Sequence, residues 1–182
     1  ALFPDSCRLR LVDMNIEPLT DEHIRRADAV FVSAMIVQSR SFEEVVKSCN
    51  RLGNPVIAGG PYPTTSYGEI ENVDHFVLGE VENVFADFLR DLQNGVAKKL
   101  YKASSRPDLS APVIPRYDLL NLDAYATMTV QYSRGCPFNC EFCDIWIIYV
   151  NRSRVKPSEN LIREIDALYR LGWRRSVFIV DD

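Results

Sequence analysis

The chain has 182 residues, of which 47% are hydrophobic and 25% are charged, as expected of a globular protein with a buried core. Its formal net charge of −4 argues against nucleic acid as a partner, because phosphate binding requires a basic surface. No apolar run approaches the roughly 18 residues of a membrane span. The N-terminus also lacks the pattern of a signal peptide, so we expect a cytoplasmic protein without a transmembrane segment.

The first half of the chain contains four segments with the pattern of β-strands. The first alternates polar and apolar residues, and the second is apolar except for one serine, which is typical of a strand that is buried on both faces. These segments are Arg8–Val12, Ala29–Ala34, Pro55–Ala58 and His75–Leu78. Because helical segments lie between them, we expect parallel strands with right-handed crossovers.

Three helical segments separate or follow these strands. Thr20 is placed to cap the first helix. Ser41 and Glu44 have the spacing of a capping box for the second helix, which is expected to end at Gly53. A third amphipathic helix ends near Gly95. The predicted fold class is therefore α/β, with a doubly wound, Rossmann-like parallel sheet.

The second half of the chain is predicted to hold a connector and the start of another α/β domain. Prolines without a sustained hydrophobic period indicate the connector. A strand over Met128–Tyr132 leads into a cysteine-rich loop, a helix opens at Ser158, and a second strand covers Ser176–Val180. Both ends of the chain are expected to be truncated. The predicted parts are an α/β domain at 1–97, the connector at 98–126 and the beginning of a second domain at 127–182.

Three cysteines lie within eight residues after the Met128 strand. Cys136, Cys140 and Cys143 have C-x3-C-x2-C spacing, and three thiolates so placed can ligate three irons of a cubane [4Fe–4S] cluster. The sequence offers no fourth soft ligand nearby, which leaves one iron open for a substrate or cosubstrate. A structural zinc site is the alternative, although such sites normally have four protein ligands.

The cysteine spacing, with Phe142 just before the last cysteine, resembles the signature of the radical S-adenosylmethionine (SAM) superfamily. The resemblance implies a cluster that cleaves SAM reductively and generates a 5′-deoxyadenosyl radical, with Phe142 near the adenine. It also implies a partial TIM-like barrel, of which this chain holds the first β/α unit and the second strand. Asp181 and Asp182 end that strand, where active-site groups of parallel barrels gather, and are candidates for contact with SAM.

Three strand ends in the first half carry residues suited to a ligand. They are Ser33, Gly59-Gly60 and Gly79-Glu80, and doubly wound sheets bind ligands at the carboxyl ends of their strands. A doubly wound domain before a radical SAM loop resembles the cobalamin (B12)-dependent radical SAM family. The serine and the glycine pair match that family's slot for the nucleotide tail of cobalamin. The resemblance implies a B12-binding-type domain without its first strand, and without the D-x-H-x-x-G histidine motif.

These resemblances predict a radical SAM enzyme with a [4Fe–4S] cluster, SAM and cobalamin as cofactors. The expected reaction is methylation or rearrangement of a small-molecule or lipid-like substrate, with an electron donor such as flavodoxin or ferredoxin. Two alternatives stay open: a first domain that serves only as a scaffold, and a non-catalytic zinc or iron–sulfur module. Because the first strand would be missing, this chain alone is expected to bind cobalamin poorly.

Overall fold

The computed structural model describes residues 1–111 and 113–181, which form two compact units. One unit comprises Glu17–Pro107, and the other comprises Ala1–Ile16 with the described residues from Asp108 onward. Asp182, predicted to contact SAM, lies outside the described residues. The domain boundaries expected from the sequence stay a prediction, since a compact unit is not by itself an independently folding domain.

The Glu17–Pro107 unit is built on a four-stranded parallel sheet with the order β1-β2-β3-β4. Its register sets Ser33 beside Gly59, and Gly59 beside Val77. The carboxyl ends of the first three strands therefore meet at one edge of the sheet. The strands are β1 Val30–Ser33, β2 Val56–Gly59, β3 His75–Leu78 and β4 Leu100–Lys102.

Helices cover both faces of this sheet, as expected of parallel strands. Helices α1 (Asp21–Arg25) and α2 (Ser39–Leu52) pack on one face, in a core that includes alternate residues of β1, β2 and β3. The opposite face carries Phe31 and Tyr101, whose rings contact the fully buried Phe88 of α4 (Phe85–Gln93) edge to face. The short helix α3 (Pro61–Ser66) follows β2. The predicted α/β fold class is confirmed.

The second unit contains a parallel β-α-β arrangement. Leu168 on its long helix is fully buried, and it packs in a core with Met128, Val130 and Trp173. The first and last strands pair in parallel, which matches the first β/α unit and second strand expected of the second domain. The elements in chain order are β5 Met128–Gln131, β6 Ser133–Arg134, α5 Ile145–Ile148, β7 Arg154–Val155, α6 Ser158–Arg170 and β8 Val177–Val180.

Two strand predictions were wrong. Residues 8–12 form no strand among the described elements, and they belong to the second unit. Alternation alone does not make a strand, because its backbone groups need a neighbouring strand to bond with. Conversely, β4 lies inside the segment predicted as connector. Its three residues bury Tyr101 alone, which is too little apolar pattern to indicate a strand.

The start of α2 also differs from the prediction. Thr20 caps α1 as expected, accepting a hydrogen bond from the His23 N–H, and Gly53 ends α2 in a left-handed conformation. However, α2 begins at Ser39, so Ser41 and Glu44 lie inside the helix and form no capping box at its start. The preceding 3-10 turn, Ile36–Gln38, runs directly into α2 and removes the need for a cap at Ser41.

A hydrogen bond between Asp13 and Tyr125 ties the N-terminal segment to the rest of its unit. The Tyr125 hydroxyl donates to Asp13 Oδ2 at 2.7 Å. This bond is the main cause that lowers the pKa of Asp13. Burial, followed by the bond to Asp13, raises the pKa of Tyr125 to about 12. The bond therefore needs an ionised Asp13 and a neutral Tyr125.

We expect this pair to make stability depend on pH at both extremes. The contribution of the pair to the free energy of unfolding should be fully present between about pH 4 and pH 10, which are the ordinary pKa values of the two groups. It should be lost as pH falls through the lowered pKa of Asp13 or rises through the raised pKa of Tyr125. The effect should be about 0.5–1 kcal/mol, because solvent screens the pair. Urea unfolding of wild type and Tyr125→Phe at pH 3, 7 and 11 measures it, and an equal difference at all three values would contradict it.

Candidate functional site

The structure brings Ser33, Gly59 and Gly60 together at the carboxyl edge of the first sheet. Gly60 has a φ of +84°, and a Cβ built on it would overlap the Ser33 hydroxyl. A Cβ on Gly59 would lie 2.9 Å from the carbonyl oxygen of Val77 in β3. Both positions therefore need glycine because neighbouring strand ends approach them closely.

The end of β3 joins the same edge. The Gly79 N–H donates to Thr64 Oγ1 at 2.9 Å, which ties this strand end to α3. Glu80 is 5% exposed, and its carboxylate lies 3.4 Å from the guanidinium of Arg106. Thr64 is the last residue of the run Gly-Gly-Pro-Tyr-Pro-Thr, which begins at the end of β2, and its hydrogen bond links this run to the end of β3.

Both histidines lie away from the carboxyl edge. His23 is in α1, where its Nδ1 accepts a hydrogen bond from the Thr20 N–H at 3.3 Å. His75 begins β3, and its Nδ1 donates to the carbonyl oxygen of Lys98 at 2.7 Å. The edge formed by Ser33, Gly59 and Gly79 therefore carries no histidine among the described residues, consistent with the missing D-x-H-x-x-G motif.

Substitution of Gly59 should destabilise this edge far more than substitution of Gly68. We expect Gly59→Ala to cost about 1–3 kcal/mol, because the new methyl group meets a backbone oxygen that cannot rotate away. Gly68→Ala is the control, since a Cβ there meets nothing within 4 Å and its φ is not left-handed. Denaturant unfolding of the two variants measures the difference, and equal midpoints would show that β2 and β3 are not this close.

Residues 135–153, here called the cysteine loop, leave and rejoin the second unit through β6 and β7, which pair antiparallel and form its stem. Gly135 has a φ of +93°. A Cβ on it would lie 2.7 Å from the carbonyl oxygen of Val150 and closer still to that of Arg152. The Cys136 N–H donates to the same Val150 oxygen at 3.2 Å. The two sides of the loop are thus in backbone contact beside the first cysteine.

The three cysteines of this loop are free thiols. Cys136 and Cys143 are half-buried and Cys140 is exposed, and the Cys143 N–H donates to the carbonyl oxygen of Cys140 at 3.1 Å. In residues 1–111 and 113–181, no three His, Cys, Asp or Glu side chains are arranged to hold a metal ion. The donor set nevertheless fits a [4Fe–4S] cluster, because it supplies three accessible soft ligands on one short loop.

Two further predicted site residues have clear places in the structure. Phe142 is 91% exposed in the cysteine loop. Asp181 follows β8, and its Oδ1 accepts hydrogen bonds from both the N–H and the hydroxyl of Ser133, each at 3.1 Å. Ser133 is buried three residues before Cys136. Asp181 therefore holds the start of the loop, while contact of Phe142 and Asp181 with SAM stays a prediction.

The sequence prediction also missed a buried ion pair behind the loop. Lys156 follows β7, and its ammonium group contacts the carboxylate of Glu164 in α6. The two side chains are 13% and 4% exposed. A signal was present, because Glu164 lies on the helix face that carries Leu161 and Leu168.

Comparison with known proteins identifies relatives along the whole chain. No family model matches it. An uncharacterized methyltransferase of Synechocystis sp. is 43% identical over 183 residues, which cover 100% of this chain and 34% of that protein. Hopanoid C-2 methylase of Rhodopseudomonas palustris is 33% identical over 186 residues, covering 100% of this chain and 35% of the methylase.

A solved structure shares the fold. The radical SAM methyltransferase TsrM of Kitasatospora setae, with cobalamin and a [4Fe–4S] cluster bound, matches with a TM-score of 0.63 at 15% identity. The match covers 88% of this chain and 39% of TsrM. In fold the chain thus resembles this radical SAM methyltransferase, and in sequence it is similar to a methyltransferase and a methylase. The resemblance predicted from the sequence is thereby confirmed.

The chain spans about a third of the length of the relatives that it matches. The described part of the chain has no helix that is both long and apolar enough to cross a membrane. The activity, substrate and cofactors of the whole protein are therefore matters of proposal.

Proposed function

We propose that this chain acts within a radical SAM methyltransferase that holds a [4Fe–4S] cluster on Cys136, Cys140 and Cys143. The observation that carries the proposal is the C-x3-C-x2-C loop, which directly follows the first strand of a parallel β-α-β unit. The names of the relatives support methyl transfer as the reaction class.

The chain's own residues supply position and ligands. The three thiolates would hold three irons and leave one open. When bound, the cluster supplies the electron that cleaves SAM to methionine and a 5′-deoxyadenosyl radical. Asp181 holds the start of the loop through Ser133, at the carboxyl ends of β5 and β8. This is the end of parallel strands where barrel enzymes place their active-site groups, and Phe142 and Asp181 would lie near SAM there.

The first sheet would bind cobalamin at its carboxyl edge. Ser33, Gly59, Gly60, Gly79 and Glu80 would line the site. Glycines at these strand ends let the backbone approach a bulky ligand closely, and the TsrM fold match supports cobalamin as that ligand. The chain offers no histidine at this edge among its described residues, so the cobalt would lack a histidine ligand from it.

The substrate class follows from the relatives. One of them is named as a hopanoid methylase, which supports a lipid-like or other small-molecule substrate for the whole protein. A cytoplasmic enzyme of this kind would receive its electron from a small carrier such as flavodoxin or ferredoxin. Methyl transfer is favoured over rearrangement, because each of the relatives cited is named as a methylase or methyltransferase.

Anaerobic cluster reconstitution of the full-length protein tests this proposal. We expect about four irons and four sulfides per chain, as for a [4Fe–4S] cluster. The electron paramagnetic resonance of the reduced cluster should shift on addition of SAM, because SAM binds the open iron. One zinc per chain that iron does not displace, without sulfide, would contradict the proposal and favour a structural zinc module.

Retention of cobalamin distinguishes a first domain that binds this cofactor from one that serves only as a scaffold. The full-length protein should keep cobalamin through gel filtration with its characteristic visible absorption. A protein that reconstitutes its cluster and cleaves SAM but retains no cobalamin would show that the Glu17–Pro107 unit is a scaffold.

A further inference from the structure

The outgoing side of the cysteine loop is held to the body of its unit next to β7. The Lys156 N–H donates to the carbonyl oxygen of Tyr132 at 2.9 Å, and the Tyr132 N–H donates to that of Val180 at 3.1 Å. These bonds connect the residue after β7 to the carboxyl ends of β5 and β8. Lys156 is therefore the point where the loop rejoins the sheet.

The side chain of Lys156 reaches a carboxylate in the core. Its ammonium group contacts Glu164 of α6, and both side chains are almost completely buried. The helix that carries Glu164 packs on β5 through the fully buried Leu168. Burial and, second, the charge of Glu164 raise the pKa of the neighbouring Tyr117 hydroxyl to about 12. Glu164 thus stands on a helix that is packed into the core of its unit.

A buried ion pair is a poor means of adding stability. Desolvation of the two charges offsets much of their attraction, and an apolar pair of similar volume stabilises a core as well or better. A buried charged pair instead constrains the positions of its two side chains, because each charge must face its partner when it is removed from water. Lys156 and Glu164 are therefore placed to determine where the loop rejoins the sheet.

We infer that Lys156 and Glu164 form a positioning pair that fixes the stem of the cysteine loop and, through it, the placement of the three cysteines. The inference rests on the proposed function for its consequence at the cluster. Asp181 holds the incoming side of the stem through Ser133, and this pair holds the outgoing side. Neither Lys156 nor Glu164 touches the reacting groups.

The test uses three variants of the full-length protein. Glu164→Gln removes the charge and keeps the shape of the side chain. The double variant Lys156→Met with Glu164→Leu replaces the pair by apolar groups of similar size and guards against a single variant that fails to fold. Asp166→Asn is the matched control, since Asp166 is an exposed carboxylate on the same helix.

Amide hydrogen exchange of the cluster-free protein provides the first measurement. In Glu164→Gln and the double variant, exchange in the stem strands β6 and β7 and at Lys156 should be at least about tenfold faster, because the stem opens locally. Exchange in α6 should be the same as in wild type for all variants. The Asp166→Asn variant should also exchange like wild type in the stem. Wild-type exchange in the stem of both pair variants would overturn the inference.

Reconstitution and paramagnetic resonance provide the second measurement. The double variant should unfold at a temperature near that of wild type but bind less iron and lose the SAM-dependent shift of its spectrum. A wild-type shift in the double variant would show that any well-packed pair suffices, and would overturn the inference. Failure of wild type itself to form a cluster would contradict the proposed function, while the exchange comparison would still decide the role of the pair.

Discussion

Replacing Cys140 by alanine in the full-length protein is expected to abolish reductive cleavage of SAM. Cys140 is exposed, so its side chain contributes little to the core. Its loss should leave the unfolding temperature unchanged but remove one of three cluster ligands. Even residues behind a metal ligand change affinity or activity by 10–100-fold, so we expect a loss of at least about a hundredfold. Release of 5′-deoxyadenosine, with iron content and thermal unfolding, measures the effect.

Cys49→Ala is the control with the opposite expected pattern. Cys49 is fully buried in α2, where burial raises the pKa of its thiol and disfavours the thiolate that binds metal. Its loss should lower stability by about 1 kcal/mol and leave the iron content unchanged. A Cys140→Ala protein that keeps four irons and cleaves SAM normally would contradict the assignment of the cluster to this loop.

The second large effect is expected for Gly135→Ala. An alanine there would be in a left-handed conformation, which costs about 1–2 kcal/mol. Its methyl group would also meet the carbonyl oxygens of Val150 and Arg152, and such overlap costs about 1–3 kcal/mol more. Because both obstacles are backbone atoms, the stem must open beside Cys136. The variant should therefore lose most of its cluster.

Gly172→Ala separates strain from overlap. Gly172 has a φ of +95°, but a Cβ there meets nothing within 4 Å. Its replacement should show the conformational cost alone and retain the cluster. Iron content after reconstitution and denaturant unfolding compare the two variants. An equal loss of iron in the Gly135→Ala and Gly172→Ala variants would mean that the close approach at Gly135 has no part in holding the cluster.

The strands and helices that were predicted correctly are those whose own residues carry a strong pattern. The last three residues of His75–Leu78 form a continuous apolar run buried in the sheet, and α6 repeats apolar residues at helical spacing. The prediction failed in two places: Arg8–Val12 was expected to form a strand and does not, and β4 was not expected. In both places the reason is that a strand depends on its neighbour more than on its own residues. Whether an edge position is available is decided by tertiary contacts that no local window contains.

The candidate site likewise contains features that a local sequence pattern indicates and contacts that it does not. The cysteines could be proposed as cluster ligands from the sequence alone, because cluster-binding thiolates recur at short, defined spacings along a chain. The contact of Asp181 with Ser133 joins residues 48 apart in the sequence, and no local pattern predicts it. The pair of Lys156 and Glu164 could be anticipated only in part, since a charge on an apolar helix face indicates a partner without identifying it.

The closed stem of the cysteine loop has a consequence for the order in which a cluster would be captured. Bringing together the ends of a flexible segment costs entropy, and here that cost is already met by the pairing of β6 with β7. Cys136 follows the stem directly and is half-buried, whereas Cys140 is exposed farther along the loop. We therefore expect an incoming cluster to meet Cys136 as a pre-placed first ligand, with the other two thiols closing onto it afterwards.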